Sequence, residues 1–295
     1  MKILFKTAAL ITAAVFAVML FGGCSNEKLE YIVLDEALAD EEYAIGFRKA
    51  DVALRDEVQR ILVEMKNDGT LAEITEKWFD EDISTVPDTF TPIGSDDDSL
   101  DKIKEKGEFI LGLDSKFPPM GYEDDDGEII GYDIDLAKEV CKRMGVELKL
   151  QPIIWKQNVN ELNAGNIDCI WNGMTINQDR AEKMCLSEPY MNNRQVVVTL
   201  EDSGITKLSD LEGKTVVLQN GSTASEALDG RSDIKSKIKG GKPIEVDNNV
   251  LAMYELRNRT SDAVVMDEIV ARYYIAHLTE LEDVASELED GETDN

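Results

Sequence analysis

From Ser99 onward, short apolar runs alternate with amphipathic stretches, and that alternation leaves few folds open. "EFILGLD" is an apolar strand, "DLAKEVCKRMG" a helix closed by glycine, and "VELKLQPII" a strand again. "NVNELNAGN" is the next helix with its stop, and "IDCIW" the next strand. Strands that return through helices pair in parallel, so this part of the chain predicts a mostly parallel α/β sheet. "RQVVVTL" opens a second set, with strands in "TVVLQ", "KPIEV" and "SDAVVM" and helices in "SEALDG", "NVLAMYELRNRT" and "DEIVARYYIAH". Within the first set, "YEDDDGEIIGYD" predicts a hairpin on an Asp-Gly turn. Its acids lack the spacing and closing glutamate of a calcium loop.

Upstream of Ser99 the order is different. "LEYIVLDE" and "EEYAIGFRK" have strand character. From Asp51 to Phe79, Leu54, Val58, Leu62 and Met65 recur at near-helical spacing, and "NDGT" divides the stretch into two helices. Residues 80–98 carry Pro, Gly, Ser, Thr and acids without periodicity and predict a solvated linker. Residues 278–295 form an acidic tail without a regular pattern. A chain of 295 residues with 43% hydrophobic content can bury one large core or two smaller ones.

The formal net charge of −29 excludes nucleic acid as a partner, because such a surface repels phosphate backbones. The first 23 residues are a targeting segment, in which Lys2 and Lys6 precede an apolar run from Ala8 to Phe21. That run is too short to cross a bilayer. The motif "LFGGC" resembles a bacterial lipobox, which places cleavage before Cys24 and a lipid on its thiol, with 24–28 as tether. Acylation of that kind anchors a protein to a membrane surface. Cys141, Cys169 and Cys185 remain; no CxxC spacing joins them, and His277 is the one histidine, so a structural zinc site is not expected. One disulfide among the three is open from sequence. A Ser-His-Asp or Cys-His mechanism is hard to build around a single histidine near a helix end.

Open α/β sheets place ligands at the carboxyl ends of their strands. Asp114 ends "ILGLD", Trp155 ends "LQPIIW", and Asn172, Gly173 and Thr175 follow "IDCIW". Arg180 opens the next helix, where a cation opposes the helix dipole and therefore wants a specific partner. "QNGSTAS", with Gln219 and Thr223, leads from a strand into a helix and presents backbone N–H groups. Asp267 follows "SDAVVM". A cation, a donor-rich loop, two carboxylates and aromatic surfaces suit a small zwitterion with a polar side chain.

Residues 99–277 resemble the bacterial extracytoplasmic solute-binding proteins of family 3, which bind polar amino acids for ABC importers. "GYDIDLAKEV", "GNIDCIWNGMTINQDRAEKMCLSEPYM", "LEGKTVVLQNGSTASEAL" and "SDAVVMDEIVARYYI" carry the resemblance, in order. It implies an α/β, two-lobed periplasmic-binding-protein-like fold of type II. The segment 31–79 also matches the family, in which such a segment comes last. The chain is therefore expected to be circularly permuted, with the usual termini joined through 80–98. One lobe would combine 43–79 with 99–192 and the other 29–42 with 193–277.

The resemblance also implies roles. Arg180 would hold the ligand's α-carboxylate, with Thr175 and the Thr223 backbone adding donors. Asp267 and the Gly173 carbonyl would take the α-ammonium. Phe117 and Trp155 would sandwich the side chain, and Asp114 would meet its far end, favouring lysine, arginine, histidine or glutamine, with cystine possible. Gln219 and Asn172 stand where the family often has a basic or small residue. No cofactor, metal or catalytic residue is implied. The expected partners are a free polar L-amino acid, an ABC permease, and the cell membrane through the lipid; the protein is expected to act as a monomer outside the cytoplasm. The rivals are a sensory module for a separate receptor and a dehydratase of prephenate or arogenate type.

Overall fold

The computed structural model describes residues 29–277, so the targeting segment, Cys24, its tether and the acidic tail lie outside the described residues. The chain begins with β1 (Tyr31–Val33), β2 (Ala39–Tyr43) and β3 (Gly46–Arg48), then α1 (Val52–Asp68), α2 (Thr70–Phe79) and α3 (Ser99–Lys106). Next come β4 (Glu108–Leu113), the small strands β5 (Lys116–Phe117), β6 (Gly121–Glu123) and β7 (Ile129–Ile130), and α4 (Tyr132–Met144). The sequence continues through β8 (Glu147–Pro152), α5 (Asn158–Ala164), β9 (Cys169–Ile170), α6 (Gln178–Lys183) and β10 (Met184–Leu186). The last part holds β11 (Met191–Leu200), β12 (Val216–Gln219), α7 (Ala224–Gly230), α8 (Ser232–Lys235), β13 (Ile244–Val246), α9 (Asn249–Arg257), β14 (Ala263–Asp267) and α10 (Glu268–Ala276).

Two main sheets result. The first runs β10-β3-β9-β4-β8, with β4 parallel to both β8 and β9. The second runs β1-β11-β14-β12-β13, with β2 also paired to β11 and β12 parallel to β13 and β14. Strands β5, β6 and β7 form a separate ribbon. The chain passes between the main sheets twice, from β2 to β3 around Ala44–Ile45 and from β10 to β11 around Ser187–Tyr190. "EEYAIGFRK", which reads as one strand, thus splits between two sheets. Alternating apolarity reports a strand but not the sheet it joins.

The segment between α2 and α3 contains neither helix nor long strand, yet it is not a free spacer. Val86 is fully buried, the Thr85 N–H donates to the Tyr190 carbonyl, and the Lys66 ammonium bonds the Val86 carbonyl. Within its acidic run, Asp97 accepts the Ala53 N–H through Oδ2 (2.9 Å) and the Ser99 N–H through Oδ1 (3.0 Å). Partial burial raises its pKa, but these donors and the Ser99 hydroxyl outweigh that and hold it at about 2. One carboxylate thereby satisfies backbone donors at the starts of two helices.

Cys141, Cys169 and Cys185 are all buried and free, which leaves no disulfide among the described residues. Among the same residues no helix is long and apolar enough to cross a membrane.

Candidate functional site

The carboxyl ends of the two sheets face each other across a narrow cavity. Phe117, Trp155, Gly173, Thr175 and Arg180 line it from the first sheet's side, and Gln219, Ser222, Thr223 and Asp267 from the second. Eight of the ten candidate residues, nine of them chosen near strand ends and Phe117 from the family resemblance, therefore meet in one place. The other two, Asp114 and Asn172, stand one layer behind the wall. Ser222 lines the cavity although nothing in the pattern of "QNGSTAS" sets it apart from its neighbours.

Arg180 owes its position to the start of α6. Asn177 caps that helix, its Oδ1 accepting the Arg180 N–H at 2.8 Å. The side chain then turns back, so that Nη1 donates to the Thr175 carbonyl at 2.6 Å and Cζ lies 5.8 Å from the Trp155 ring centroid. Only 7% of Arg180 is exposed, and it forms no ion pair among the described residues. Burial pulls its pKa down, and the more distant Glu41, Glu226 and Asp267 carboxylates offset only part of that. A buried guanidinium with one hydrogen bond retains donors for a guest.

Asp267 is the opposite pole, at the end of β14. Its Oδ1 accepts the Tyr43 hydroxyl and the Asn193 amide, each at 2.7 Å. It too is buried and forms no ion pair among the described residues. Burial, joined by the neighbouring Glu41 carboxylate, pushes its pKa up to about 7 against the Tyr43 hydroxyl and the Arg180 charge.

The walls between these poles depend on close backbone approach. Gly173 sits at φ +56°, where a Cβ would come within 2.7 Å of the Phe117 ring, so glycine is required there. Its N–H donates to Asp133 Oδ2 at 2.8 Å, and the Tyr190 hydroxyl donates to the same oxygen at 2.9 Å. Asp133, which burial pushes to about 7, is thus a positioning residue that strand-end reasoning missed. On the other lobe Gly221 (φ +79°) comes so near that a Cβ would lie 2.9 Å from Lys156 Cα.

Direct bonds join the lobes around the cavity. The Asn177 amide donates to both Glu226 oxygens (2.7 and 2.9 Å), the Thr223 hydroxyl to Thr175 Oγ1 (3.2 Å), and the Tyr274 hydroxyl to the Lys116 carbonyl (2.9 Å). The Thr175 hydroxyl proton is directed to Glu41 Oε2 (2.9 Å), a group that also takes the Asn193 and Gln195 amides. In this arrangement the Thr175 hydroxyl is engaged on both sides, donating to Glu41 and accepting from Thr223. Glu41, Tyr43 and Asn193 gave no sequence signal, because their contacts are made only when the two crossings lie side by side.

The chain matches the profile of the bacterial extracellular solute-binding proteins, family 3, at residues 3–81 and 109–286. It is 30% identical over 179 residues to the L-cystine-binding protein TcyJ of Escherichia coli strain K12, covering 60% of this chain and 65% of that protein. The similarity to the arginine-binding extracellular protein ArtP of Bacillus subtilis strain 168 is 29% over 184 residues, or 62% of this chain and 69% of that one. The chain thus spans about two thirds of the length of the curated relatives it matches. Among solved structures, an ABC uptake transporter substrate-binding protein from Streptococcus pneumoniae with bound histidine superposes with a TM-score of 0.61 at 34% identity, over 63% of this chain and 76% of that one.

Proposed function

This chain belongs to family 3 of the bacterial extracellular solute-binding proteins, and from that premise we propose that it binds one free amino acid between its lobes and delivers it to an ABC importer. The carrying observation is charge that lacks a protein partner. One cavity has a buried guanidinium at one pole and a buried carboxylate at the other, neither in an ion pair among the described residues. An α-amino acid brings the two missing charges on one carbon. Arg180 takes the α-carboxylate as a bidentate pair, and Asp267 takes the α-ammonium. Because the two poles belong to different lobes, bound ligand favours the closed arrangement by its contacts with both. Relatives that bind cystine, arginine and histidine support the amino-acid class without selecting among its members. Asp114, the acid a dehydratase would have to aim at a leaving hydroxyl, is turned toward Gln219 instead, which favours binding over turnover.

A thermal-shift screen of the twenty amino acids and cystine is expected to raise the unfolding midpoint for a small subset. A ligand at one hundred times its Kd adds about 2.7 kcal/mol. If none of them moves the midpoint of the folded protein, the proposal fails.

The lipobox before Cys24 supports anchorage of the protein outside the cytoplasm by a lipid on that thiol. The position of residues 31–79 ahead of the rest supports circular permutation, with 80–98 as the joint; nineteen residues reach at most roughly 60 Å. Both can be tested together, by moving 29–79 behind 277 and replacing Cys24 by serine. We expect a protein released from the membrane fraction with an unchanged ligand profile. Retention in that fraction argues against the anchor, and loss of binding argues against the permutation.

A further inference from the structure

One carboxylate oxygen outside the cavity collects three donors from around it. Glu41 lies on β2, just ahead of the first crossing, and faces Asn193 of β11 in register. Its Oε2 accepts the Thr175 hydroxyl (2.9 Å) from the first sheet's side and the Asn193 and Gln195 amides (3.1 and 3.0 Å) from β11. The same Asn193 nitrogen donates to Asp267 Oδ1 at 2.7 Å, so one amide bridges the two carboxylates.

The two amides show what Glu41 decides. Asn193 is 5% exposed and Gln195 fully buried, and the carbonyl oxygen of each is buried without a hydrogen-bond partner among the described residues. An unsatisfied acceptor of that kind is costly, and it persists because both nitrogens are turned toward a carboxylate. Position is joined by charge. Carboxylates that share one nitrogen have oxygens within about 6 Å of each other, close enough for a second negative charge to oppose the ionisation of Asp267. Burial is the main cause of the raised Asp267 pKa, and the Glu41 charge is the next. The other ionisable groups facing Asp267 are Tyr43 on the same crossing and Arg180 on α6, while the adjacent Glu268 is paired with Arg194 and Arg272. On its outer side Glu41 shares an opening with Asp40, Glu226 and Arg231, the last paired with Glu36 and Asp233.

We propose that Glu41 is a positioning residue for the ammonium pole: from the strand entering the first crossing it orders Thr175 and Asn193 and, through Asn193 and its own charge, governs how Asp267 meets an α-ammonium. This rests on the amino-acid reading of the cavity. Carbon-13 NMR of the aspartate-labelled full chain, with the Asp267 signal assigned by its loss in Asp267→Asn, follows this carboxylate without ligand, and calorimetry across the same pH range follows it through binding. Glu41→Gln keeps the shape and one acceptor but removes the charge. The Asp267 midpoint is expected to fall by at least about half a pH unit, and the affinity lost between about pH 8 and pH 6 to shrink by about threefold. Asn193→Leu keeps the volume but removes the donor, so the midpoint is expected to move the other way by a similar amount. A purely structural role lowers affinity in both variants equally at every pH and leaves the midpoint in place. The inference is overturned by that result, or by midpoints that move in the same direction. If Glu41→Gln does not fold, Asn193→Leu decides, and a midpoint that fails to rise overturns the bridge. A folded wild type that binds no amino acid overturns the reading of the cavity beneath it. A wild type that binds, with an Asp267 midpoint indifferent to Glu41, overturns this inference alone.

Discussion

Replacing Arg180 by methionine is expected to remove amino-acid binding while leaving the empty protein at least as stable as before. The two effects share one cause. In the empty protein this guanidinium is 7% exposed, makes one bond to the Thr175 carbonyl, and has no ion-pair partner among the described residues. Its burial carries a desolvation penalty that nothing within the fold fully offsets, as the lowered pKa records. When a ligand carboxylate arrives, the same penalty has already been met and the fork of N–H donors becomes a bidentate contact. Removing the cation leaves the ligand's carboxylate buried and alone, a loss of about 2–5 kcal/mol, or roughly thirty-fold to several-thousand-fold in Kd. Methionine fills much of the vacated volume, so the midpoint of the ligand-free variant is expected to stay level or rise by a few degrees, about 2–4 °C per kcal/mol. Arg180→Lys keeps the charge but not the planar fork and is expected to fall between the two. Calorimetry and thermal denaturation on the same preparations separate the effects. An unchanged Kd in the methionine variant removes Arg180 from the site.

Arg180 was legible in the sequence because its local setting is unfavourable: a cation in the first turn of a helix is out of place unless something calls for it. Asp267, Trp155 and Thr223 were legible for a related reason, since Asp267 ends a strand and the other two follow one within a few residues, where strand ends converge. Asp114 satisfied the same rule and still lies outside the lining. Its partner Gln219 is 105 residues away in another lobe, and strand-end logic places a side chain near a cleft without saying which neighbour it will turn to. The acidic segment 80–98 shows the same limit. Composition reports that it forms no helix, but not that Val86 is buried or that Asp97 holds two helix starts. Periodicity reveals elements and which of their faces are apolar. Contacts between distant polar groups are settled only when those elements pack.

At the other pole, Asp267 links binding to pH, and the sign follows from its position. In the folded, empty protein its pKa is raised to about 7, above the roughly 3.9 of an unfolded aspartate. Between those values the folded state keeps a proton that the unfolded state has lost, so stability falls as pH rises through this window. The ionised carboxylate at neutral pH is therefore a liability of the empty fold, about 4 kcal/mol at most, and buried Asp133 acts in the same direction. An α-ammonium reverses the balance, because it pairs only with the ionised form and draws the pKa down. Affinity is accordingly expected to rise with pH until about 7 and to weaken by up to about tenfold for each unit below it. Near pH 6, binding is expected to release close to one proton, measurable by calorimetry in buffers of different ionisation enthalpy. Asp267→Asn keeps the shape and the Tyr43 contact but cannot ionise. It is expected to weaken binding by at least about 2 kcal/mol at pH 8, to remove this residue's share of the pH slope, and to stabilise the empty protein there. Should wild-type affinity stay constant from about pH 5.5 to 8 with no proton released, the ammonium does not sit on Asp267, and the carboxylate's isolation needs a different guest.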